Sequence, residues 1–201
     1  MREETLWEAQ KRANPGHSAW YIQRFEAMRE QGKDLDGEAR LIDAMVPRGS
    51  RILDAGCGPG RVGAELANRG HNVVGVDVDP ELIAAARATH PDGEWLVADL
   101  AELDLPERGI TDPFDLIVSA GNVMTFLAPG TAPAVLANLG RHLSPKGRLV
   151  VGFGAGRGYA FEQFWADAGS AGLDCQERFA TWDLLPWSVS SDFLVAVFVR
   201  H

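Results

Sequence analysis

A short apolar run that ends in a carboxylate and then breaks into alternating glycines constrains this chain more than any other feature. Residues 52–60 read Ile-Leu-Asp-Ala-Gly-Cys-Gly-Pro-Gly. Glycine lacks a Cβ, so it adopts positive φ and lets a ligand approach the backbone closely. The next segment, 61–69, is predicted as a helix that stops at Gly70. A buried strand, a glycine turn and a helix N-terminus together predict a nucleotide-type site, because free N–H groups and the positive end of the helix dipole face the turn.

Length and charge limit the classes of protein to consider. The chain has 201 residues, of which 46% are hydrophobic and 23% charged, and this composition predicts one globular domain with a full core. The net charge of −9 argues against a general nucleic-acid binder, which needs a basic face for phosphates. We therefore expect no nucleic-acid partner.

Terminal and cysteine patterns predict a cytoplasmic protein. The charged N-terminus lacks the apolar core of a signal peptide. The longest apolar run, Phe193 to Val199, has the length of a strand and falls far short of the ~18 residues that span a bilayer. Cys57 and Cys175 show neither metal-ligand spacing nor a disulfide framework. We expect reduced thiols, no metal and no membrane partner.

Residues 1–48 are predicted to form an N-terminal helical cap on a core that spans residues 49–201. Tyr21, Phe25 and Met28 recur at helical spacing, and a second helix is predicted from Asp36, a candidate N-cap residue. Pro47-Arg48-Gly49 then breaks the chain before the first strand.

The core alternates between strands and helices. Strands are predicted at 51–54, 72–77, 94–97, 114–119 and 148–153, the last entered through a turn at 145–147. Helices are predicted from Asp79 and Pro80, over 131–142 and around 161–168. Two β-like segments, 173–184 and 192–199, follow without a helix between them and predict a hairpin. The expected fold is a doubly wound, mainly parallel α/β sheet that is covered on both faces and carries one antiparallel strand.

Two nucleotide templates fit the glycine turn. A dinucleotide fingerprint, Gly-x-Gly-x-x-Gly, matches residues 58–63. However, Asp54 stands ahead of that turn, where its charge would oppose a pyrophosphate and favour a ligand with a cationic amino-acid end. Asp77 and Asp99 follow the next two predicted strands. Three aspartates at successive strand ends therefore predict acceptors along one crevice, at the edge where doubly wound sheets bind ligands.

Five segments in this order resemble the motifs of class I S-adenosylmethionine-dependent methyltransferases. They read Asp-Ala-Gly-Cys-Gly-Pro-Gly, Val-Val-Gly-Val-Asp, Ala-Asp-Leu, Phe-Asp-Leu-Ile-Val-Ser and Leu-Ser-Pro-Lys-Gly-Arg-Leu, within residues 50–155. The resemblance implies a Rossmann-like sheet of seven strands in the order 3-2-1-4-5-7-6, with the last strand antiparallel. It also implies S-adenosylmethionine as the cofactor.

The resemblance implies a role for each matching position. The turn of Gly56, Cys57, Gly58 and Gly60 would pass under the methionine moiety, with Asp54 nearby. Asp77 would hold the ribose hydroxyls, and Asp99 would accept the adenine amino group. Three apolar residues would line the adenine ring, and two residues after the fourth strand would lie near the sulfonium: Val78, Ala98 and Leu100, then Ser119 and Ala120.

The chain departs from the family after the fourth strand. Many members that methylate bases or amide nitrogens carry Asp/Asn-Pro-Pro-Tyr/Phe there, whereas residues 119–122 read Ser-Ala-Gly-Asn. This departure favours a small-molecule acceptor, which would be methylated by in-line displacement. The sequence shows no marked catalytic dyad, so candidates for the acceptor site are drawn from the N-terminal helices and from the loops after strands four and five. They are His17, Trp20, Tyr21, Asn122, Arg157 and Tyr159.

The N-terminal helices are predicted to act as a lid, so that deletion of residues 1–30 would abolish turnover more than folding. Two other functions remain open at this point. One is a non-catalytic partner protein that binds S-adenosylmethionine. The other is an NAD(P)-dependent reductase, which is disfavoured because little chain remains for a substrate domain and no Tyr-x-x-x-Lys pair is present.

Overall fold

The computed structural model describes residues 2–201 as a central sheet flanked by helices. The helices of the described chain are α1 (Leu6–Ala13), α2 (His17–Glu30), α3 (Gly37–Met45), α4 (Arg61–Asn68), α5 (Pro80–Thr89), α6 (Ala132–Arg141) and α7 (Phe161–Ser170). The strands are β1 (Arg51–Ala55), β2 (Asn72–Asp77), β3 (Glu94–Val97), β4 (Phe114–Ser119), β5 (Leu143–Gly154), β6 (Leu173–Phe179) and β7 (Phe193–Arg200).

The sheet has seven strands in the order β3-β2-β1-β4-β5-β7-β6. The pairs from β3 through β5 are parallel, whereas β7 runs antiparallel to both β5 and β6. This arrangement confirms the predicted strand order and the closing hairpin. It also brings the carboxyl ends of β1, β2, β3 and β4 to one edge of the sheet.

Apolar side chains cover both faces of this sheet. On β1, Leu53 and Ala55 belong to the cluster that packs with α6 and α7, whereas Ile52 belongs to the cluster that packs with α3 and α4. All three side chains are fully buried. Strands that are buried on both faces have continuous apolar runs, and this explains why the central strands were recognisable in the sequence.

Two predicted strand boundaries were wrong. The turn expected at 145–147 lies inside β5, where Leu143 already pairs with Phe114 before a register shift. A Cβ on Gly147 would lie 2.7 Å from the Phe114 carbonyl oxygen, so this glycine lets the two backbones approach at the irregularity. The sixth strand ends at Phe179 rather than at Leu184, because the chain leaves the sheet for a long connection to β7.

The N-terminal region contains one helix more than the sequence analysis predicted. Helix α1 starts with a capping box, in which the Thr5 side chain accepts from the Glu8 N–H and the Glu8 carboxylate accepts from the Thr5 N–H. Helix α3 begins after Asp36, as predicted, although Asp36 makes no side-chain cap bond. Within residues 2–201, no helix is long and apolar enough to cross a bilayer.

Candidate functional site

A cleft opens where the carboxyl ends of β1, β2, β3 and β4 meet, and we call it the strand-end cleft. Thr5, Trp7, Tyr21 and Phe25 from the N-terminal region close it on one side. Its sheet side carries most of the residues predicted to bind the cofactor. These are Asp54, Gly56, Cys57, Gly58, Asp77, Val78, Ala98, Asp99, Leu100 and Ala120.

The glycine turn shapes the floor of the strand-end cleft. Gly56 has φ +82°, and a Cβ there would lie 2.3 Å from the Val123 side chain, so only glycine fits. Gly58 lies under Tyr21, whose ring would be 3.6 Å from an added Cβ. Gly60 faces away from the cleft, against Trp95, and starts α4 in a left-handed conformation. Gly56 and Gly58 therefore leave the floor of the cleft free of side chains. Gly60 instead provides the left-handed residue at which α4 starts.

Asp54 occupies the N-terminus of α4. Its Oδ2 accepts a hydrogen bond from the Gly63 N–H at 2.8 Å, and its side chain is buried. Burial raises the pKa of Asp54 to about 7, against the opposing effect of the Gly63 bond. A carboxylate already satisfies this helix end, which makes the position a poor cradle for a pyrophosphate.

Asp77 ties the end of β2 to the glycine turn. Its Oδ2 accepts from the Gly58 N–H and its Oδ1 from the Asp79 N–H, both at 2.9 Å. Burial is the main reason that the pKa of Asp77 rises to about 6, because these two backbone bonds only partly compensate for lost water. Each oxygen accepts one hydrogen bond from the chain and has capacity for another, so this cleft-lining carboxylate suits a ligand with two adjacent hydroxyl donors.

Asp99 lies at the far end of the cleft and is held from two sides. Its Oδ1 accepts from the Ala101 N–H at 2.9 Å, and its Oδ2 accepts from the Arg2 guanidinium at 2.8 Å. Arg2 also pairs with Glu8 of α1. Through these contacts the N-terminal segment reaches across to the loop that follows β3.

Cys57 and Ser119 were both predicted to bind the cofactor, but they lie in different surroundings. The Cys57 thiol is buried and donates to the Gly58 carbonyl oxygen at 3.6 Å, and burial raises its pKa, so that it stays protonated. Ser119 is fully buried behind Ala120 rather than on the cleft wall. The Ser119 Oγ has no hydrogen-bond partner among the described residues.

A second cavity, which we call the aromatic pocket, adjoins the strand-end cleft. Trp7, Tyr21, Phe25, Gly121 and Phe126 belong to the walls of both cavities. Arg61 of α4 also borders both cavities. Further side chains come from α1, α2, α3 and the segment that leads into it, the loops after β4 and β5, the β6–β7 connection and the start of β7. They are Gln10, His17, Trp20, Arg24, Asp34, Leu35, Glu38, Asn122, Arg157, Trp182 and Phe193.

Most of the predicted acceptor-site candidates meet in the aromatic pocket. His17, Tyr21, Asn122 and Arg157 all line it. The Asn122 side-chain oxygen accepts from the Gly154 N–H at 2.8 Å, which fixes the loop after β4 to the end of β5. These residues come from three separate parts of the chain.

Tyr159 lies apart from the other candidates. Its hydroxyl donates to the Asp167 carboxylate at 2.7 Å, and its ring stacks on Phe153 at a centroid distance of 5.7 Å. It lines a different cavity, which includes Gln163. The structure therefore gives Tyr159 a packing environment between α7 and the sheet.

Sequence reasoning missed Trp7, which lines both cavities. Its indole N–H donates to Asp79 at 2.8 Å, and its ring meets Phe126 edge-on at 5.5 Å. The capping box at Thr5 and Glu8 was the available signal, because it marks a helix whose first turn contains Trp7.

Asp79 anchors the N-terminal helices to the sheet edge. It accepts hydrogen bonds from Trp7, from Lys11 of α1 and from Ser18 of α2. Although burial opposes ionisation, these donors hold the pKa of Asp79 below its usual range. We call this group the Asp79 clasp.

Comparisons with known proteins agree with this geometry. Residues 52–147 match the family model described as a methyltransferase domain. The structure superposes on a TehB-like SAM-dependent methyltransferase from Corynebacterium glutamicum with a TM-score of 0.88 and 50% identity, covering 94% of this chain and 100% of the other. An uncharacterized methyltransferase of Mycobacterium tuberculosis is 37% identical over 114 residues, which cover 55% of this chain and 54% of that protein.

A trans-aconitate 2-methyltransferase from an Azoarcus species is 35% identical over 133 residues, which cover 65% of this chain and 47% of that protein. The chain thus matches about half the length of these two curated relatives. The match to the Corynebacterium structure, in contrast, extends over that whole chain. The protein therefore belongs to the S-adenosylmethionine-dependent methyltransferases, and S-adenosylmethionine is its cofactor.

Proposed function

We propose that this protein transfers the methyl group of S-adenosylmethionine to a small molecule bound in the aromatic pocket. The shared wall of the two cavities is the observation that supports this most. Tyr21, Gly121 and Phe126 border both spaces, so a donor in the strand-end cleft and an acceptor in the aromatic pocket would meet there. The trans-aconitate 2-methyltransferase also supports a small acceptor, since it is named for one.

The residues of the strand-end cleft fit the cofactor. We propose that the free lone pairs of Asp77 accept the two ribose hydroxyls, and that Val78 and Leu100 flank the adenine ring. Asp99 would accept the adenine amino group, and Asp54 would favour the cationic amino-acid end. When bound, the cofactor would supply an electrophilic methyl group on a sulfonium, and transfer to an electron pair of the acceptor would leave the former C–S bonding pair on sulfur.

The chain contributes mainly by positioning and by excluding water. Alignment of two reactants in a closed site can remove about 7–11 kcal/mol from a barrier. Trp7, Tyr21 and Phe25 place apolar surface at the junction of the two cavities. We propose that residues 2–48 act as a helical cap over the core, which keeps this junction dry.

His17 is the residue that we propose as a proton acceptor. It lines the aromatic pocket, between the rings of Trp7 and Trp20. Its Nε2 is buried and has no hydrogen-bond partner among the described residues. An acceptor that must lose a proton could donate it to this nitrogen.

Calorimetry tests the choice of cofactor. S-adenosylmethionine should bind with micromolar affinity, whereas NAD should give no signal. Binding of NAD without binding of S-adenosylmethionine would overturn the proposal. Asp77→Asn should remove most of the S-adenosylmethionine signal. The matched control is Asp112→Asn, because Asp112 is exposed and lies outside the strand-end cleft.

A turnover assay separates an enzyme from a protein that only binds the cofactor. Purified protein is given S-adenosylmethionine and a panel of small metabolites, and release of S-adenosylhomocysteine is measured. We expect release that depends on one class of acceptor, and a lower rate of that release in the His17→Gln variant. Cofactor binding without release from any member of the panel would favour a non-catalytic role.

A further inference from the structure

The aromatic pocket carries more positive charge than its own carboxylates neutralise. Three of its charged side chains, Glu38, Arg61 and Asp34, are paired within the chain. The Arg61 guanidinium binds Glu38 through two hydrogen bonds of 2.6 and 2.9 Å. Asp34 is paired with Arg40 at 2.6 Å. The charges of Arg61 and Asp34 are therefore neutralised by partners within the chain.

Arg24 and Arg157 remain without such a partner. Among residues 2–201, neither side chain makes a salt bridge or a hydrogen bond to another residue, although both line the pocket. The Arg157 side chain folds back over the end of β5, so that its Nε would lie 3.3 Å from a Cβ on Gly154. Arg24 lies over the rings of Trp20 and Phe25, at 5.8 and 5.9 Å from their centroids. Two uncompensated guanidinium groups therefore border one cavity in a chain whose net charge is −9.

The rest of the pocket surface is largely aromatic. Rings from α1, α2, the loop after β4 and the β6–β7 connection surround the space. Trp182 is fixed in this wall, because a Cβ on Gly152 beneath it would lie 2.3 Å from its ring. His17 and Trp20 stack nearly parallel, with their planes inclined by 23°. Such walls favour a flat, apolar ligand body.

Resting on the proposed methyl transfer, we propose that the acceptor is a flat aromatic molecule that carries a carboxylate. Arg157 and Arg24 bind the carboxylate, and the aromatic walls hold the ring with its reacting atom towards Tyr21 and Gly121. A guanidinium matches a carboxylate through two parallel N–H donors, which makes arginine the suitable residue for this contact. The same two charges would repel an acceptor that carries an amine in place of the acid.

Matched probes test this class with protein saturated by S-adenosylhomocysteine. Indole-3-acetate and 4-hydroxyphenylacetate are titrated beside their primary amides and beside tryptamine and tyramine, and binding is followed by calorimetry. We expect at least one acid to bind about tenfold or more tightly than its amide, and the amines to bind more weakly still. Tenfold corresponds to the lower end of what a hydrogen bond to a charged group contributes.

Variants assign the preference to the two arginines. Arg24→Gln combined with Arg157→Gln should reduce the preference for the acid to about twofold or less while S-adenosylhomocysteine binds as before. Arg29→Gln is the matched control, because Arg29 is exposed on the same helix as Arg24 and does not line the aromatic pocket. Far-ultraviolet circular dichroism and thermal unfolding show whether each variant is folded.

Three results would overturn this inference. They are equal binding of acids and amides, an acid preference that survives in the double variant, and binding of none of the acids to protein that binds S-adenosylhomocysteine. Failure of the proposed function looks different, because the protein would then either bind neither S-adenosylhomocysteine nor S-adenosylmethionine, or bind S-adenosylmethionine and release no S-adenosylhomocysteine with any acceptor.

Discussion

The strand-end cleft and the aromatic pocket share a wall, yet they are built in different ways. The sheet side of the cleft comes from consecutive strand ends, between Asp54 and Ala120. The pocket is assembled from α1, α2, the loops after β4 and β5, and the β6–β7 connection. The sheet fixes the first set by its backbone hydrogen bonds, whereas packing and loops place the second. Under the proposed function, the fold can therefore keep one cofactor site while the pocket proposed for the acceptor varies.

Two aspartates at the edge of the cleft show the same contrast on a smaller scale. Asp77 accepts only backbone N–H groups, and burial raises its pKa to about 6. Asp79 accepts from Lys11 and two other side chains, and its pKa is lowered despite burial. The first carboxylate is short of donors and suits a ligand, whereas the second is satisfied and suits a structural role.

Removal of the Asp79 carboxylate, which anchors the N-terminal helices, should have the largest effect on stability. Asp79→Ala leaves Lys11 without its buried partner and frees α1 and α2, so we expect a loss of about 3 kcal/mol in the free energy of unfolding, measured in urea. Glu81→Ala is the control, because Glu81 contacts the same lysine from an exposed position and should cost less than about 1 kcal/mol. Equal losses for the two variants would contradict a special role for Asp79.

Removal of the Asp77 carboxylate, which we propose binds the cofactor, should have the next largest effect. Asp77→Asn should weaken S-adenosylmethionine by about 100-fold or more, because two hydrogen bonds to a charged acceptor contribute about 1.5–3 kcal/mol each. The free variant should stay within about 1 kcal/mol of the parent at pH 8, because removal of a desolvated charge offsets the one backbone hydrogen bond that the amide NH2 cannot accept. Calorimetry and thermal unfolding measure these two quantities. Weakened binding that is accompanied by unfolding would instead assign Asp77 to the structure alone.

The buried charge at Asp54 should appear as a pH effect. The pKa in the folded protein is about 7 against an ordinary value of 3.8, so between these values the folded protein holds a proton that the unfolded chain has lost. The contribution of this carboxyl to stability therefore falls as pH rises from about 4 to about 7 and stays constant above that.

Asp54→Asn does not titrate and can still accept from Gly63. Its stability relative to the parent should therefore increase across the same pH range, by roughly 1–3 kcal/mol. Urea unfolding at several pH values from 4.5 to 8 measures the difference. A difference that does not change with pH would show that Asp54 is ionised throughout.

The smallest effect is expected outside both cavities. Tyr159→Phe removes the donor to Asp167 and should cost about 1 kcal/mol of stability. Binding of the cofactor and of the aromatic acids should be unchanged. Weaker binding of the acids by Tyr159→Phe would indicate that Tyr159 belongs to the acceptor site, as the sequence predicted.

The core was predictable because its signals are local. Strands β2, β3 and β4 have the boundaries that their apolar runs indicated, and α5 starts after Asp79 as its N-cap and Pro80 predicted. The position of the aspartates in the strand-end cleft was also predictable, since the carboxyl ends of parallel strands lie along one edge of a sheet. The family resemblance supplied the strand order, which the structure confirms.

The errors and omissions arose where contacts join distant segments. Nothing local to residues 145–147 shows that Leu143 already pairs with Phe114. Likewise, the place of Trp7 depends on Asp79, which lies 72 residues away in the sequence. Arg157 was chosen as a candidate, but the sequence could not show that no carboxylate of residues 2–201 forms a salt bridge with it, because that depends on how the neighbouring segments pack.

The Asp79 clasp has a consequence for the speed of ligand exchange. Thr5, Trp7 and Tyr21 wall the strand-end cleft, and the clasp holds the helices from which the two aromatic residues project. If these helices cap the cleft as we propose, a molecule enters or leaves only when these contacts open. We therefore expect the protein rather than the ligand to set the residence time. S-adenosylmethionine and S-adenosylhomocysteine would then dissociate at similar rates even where their affinities differ.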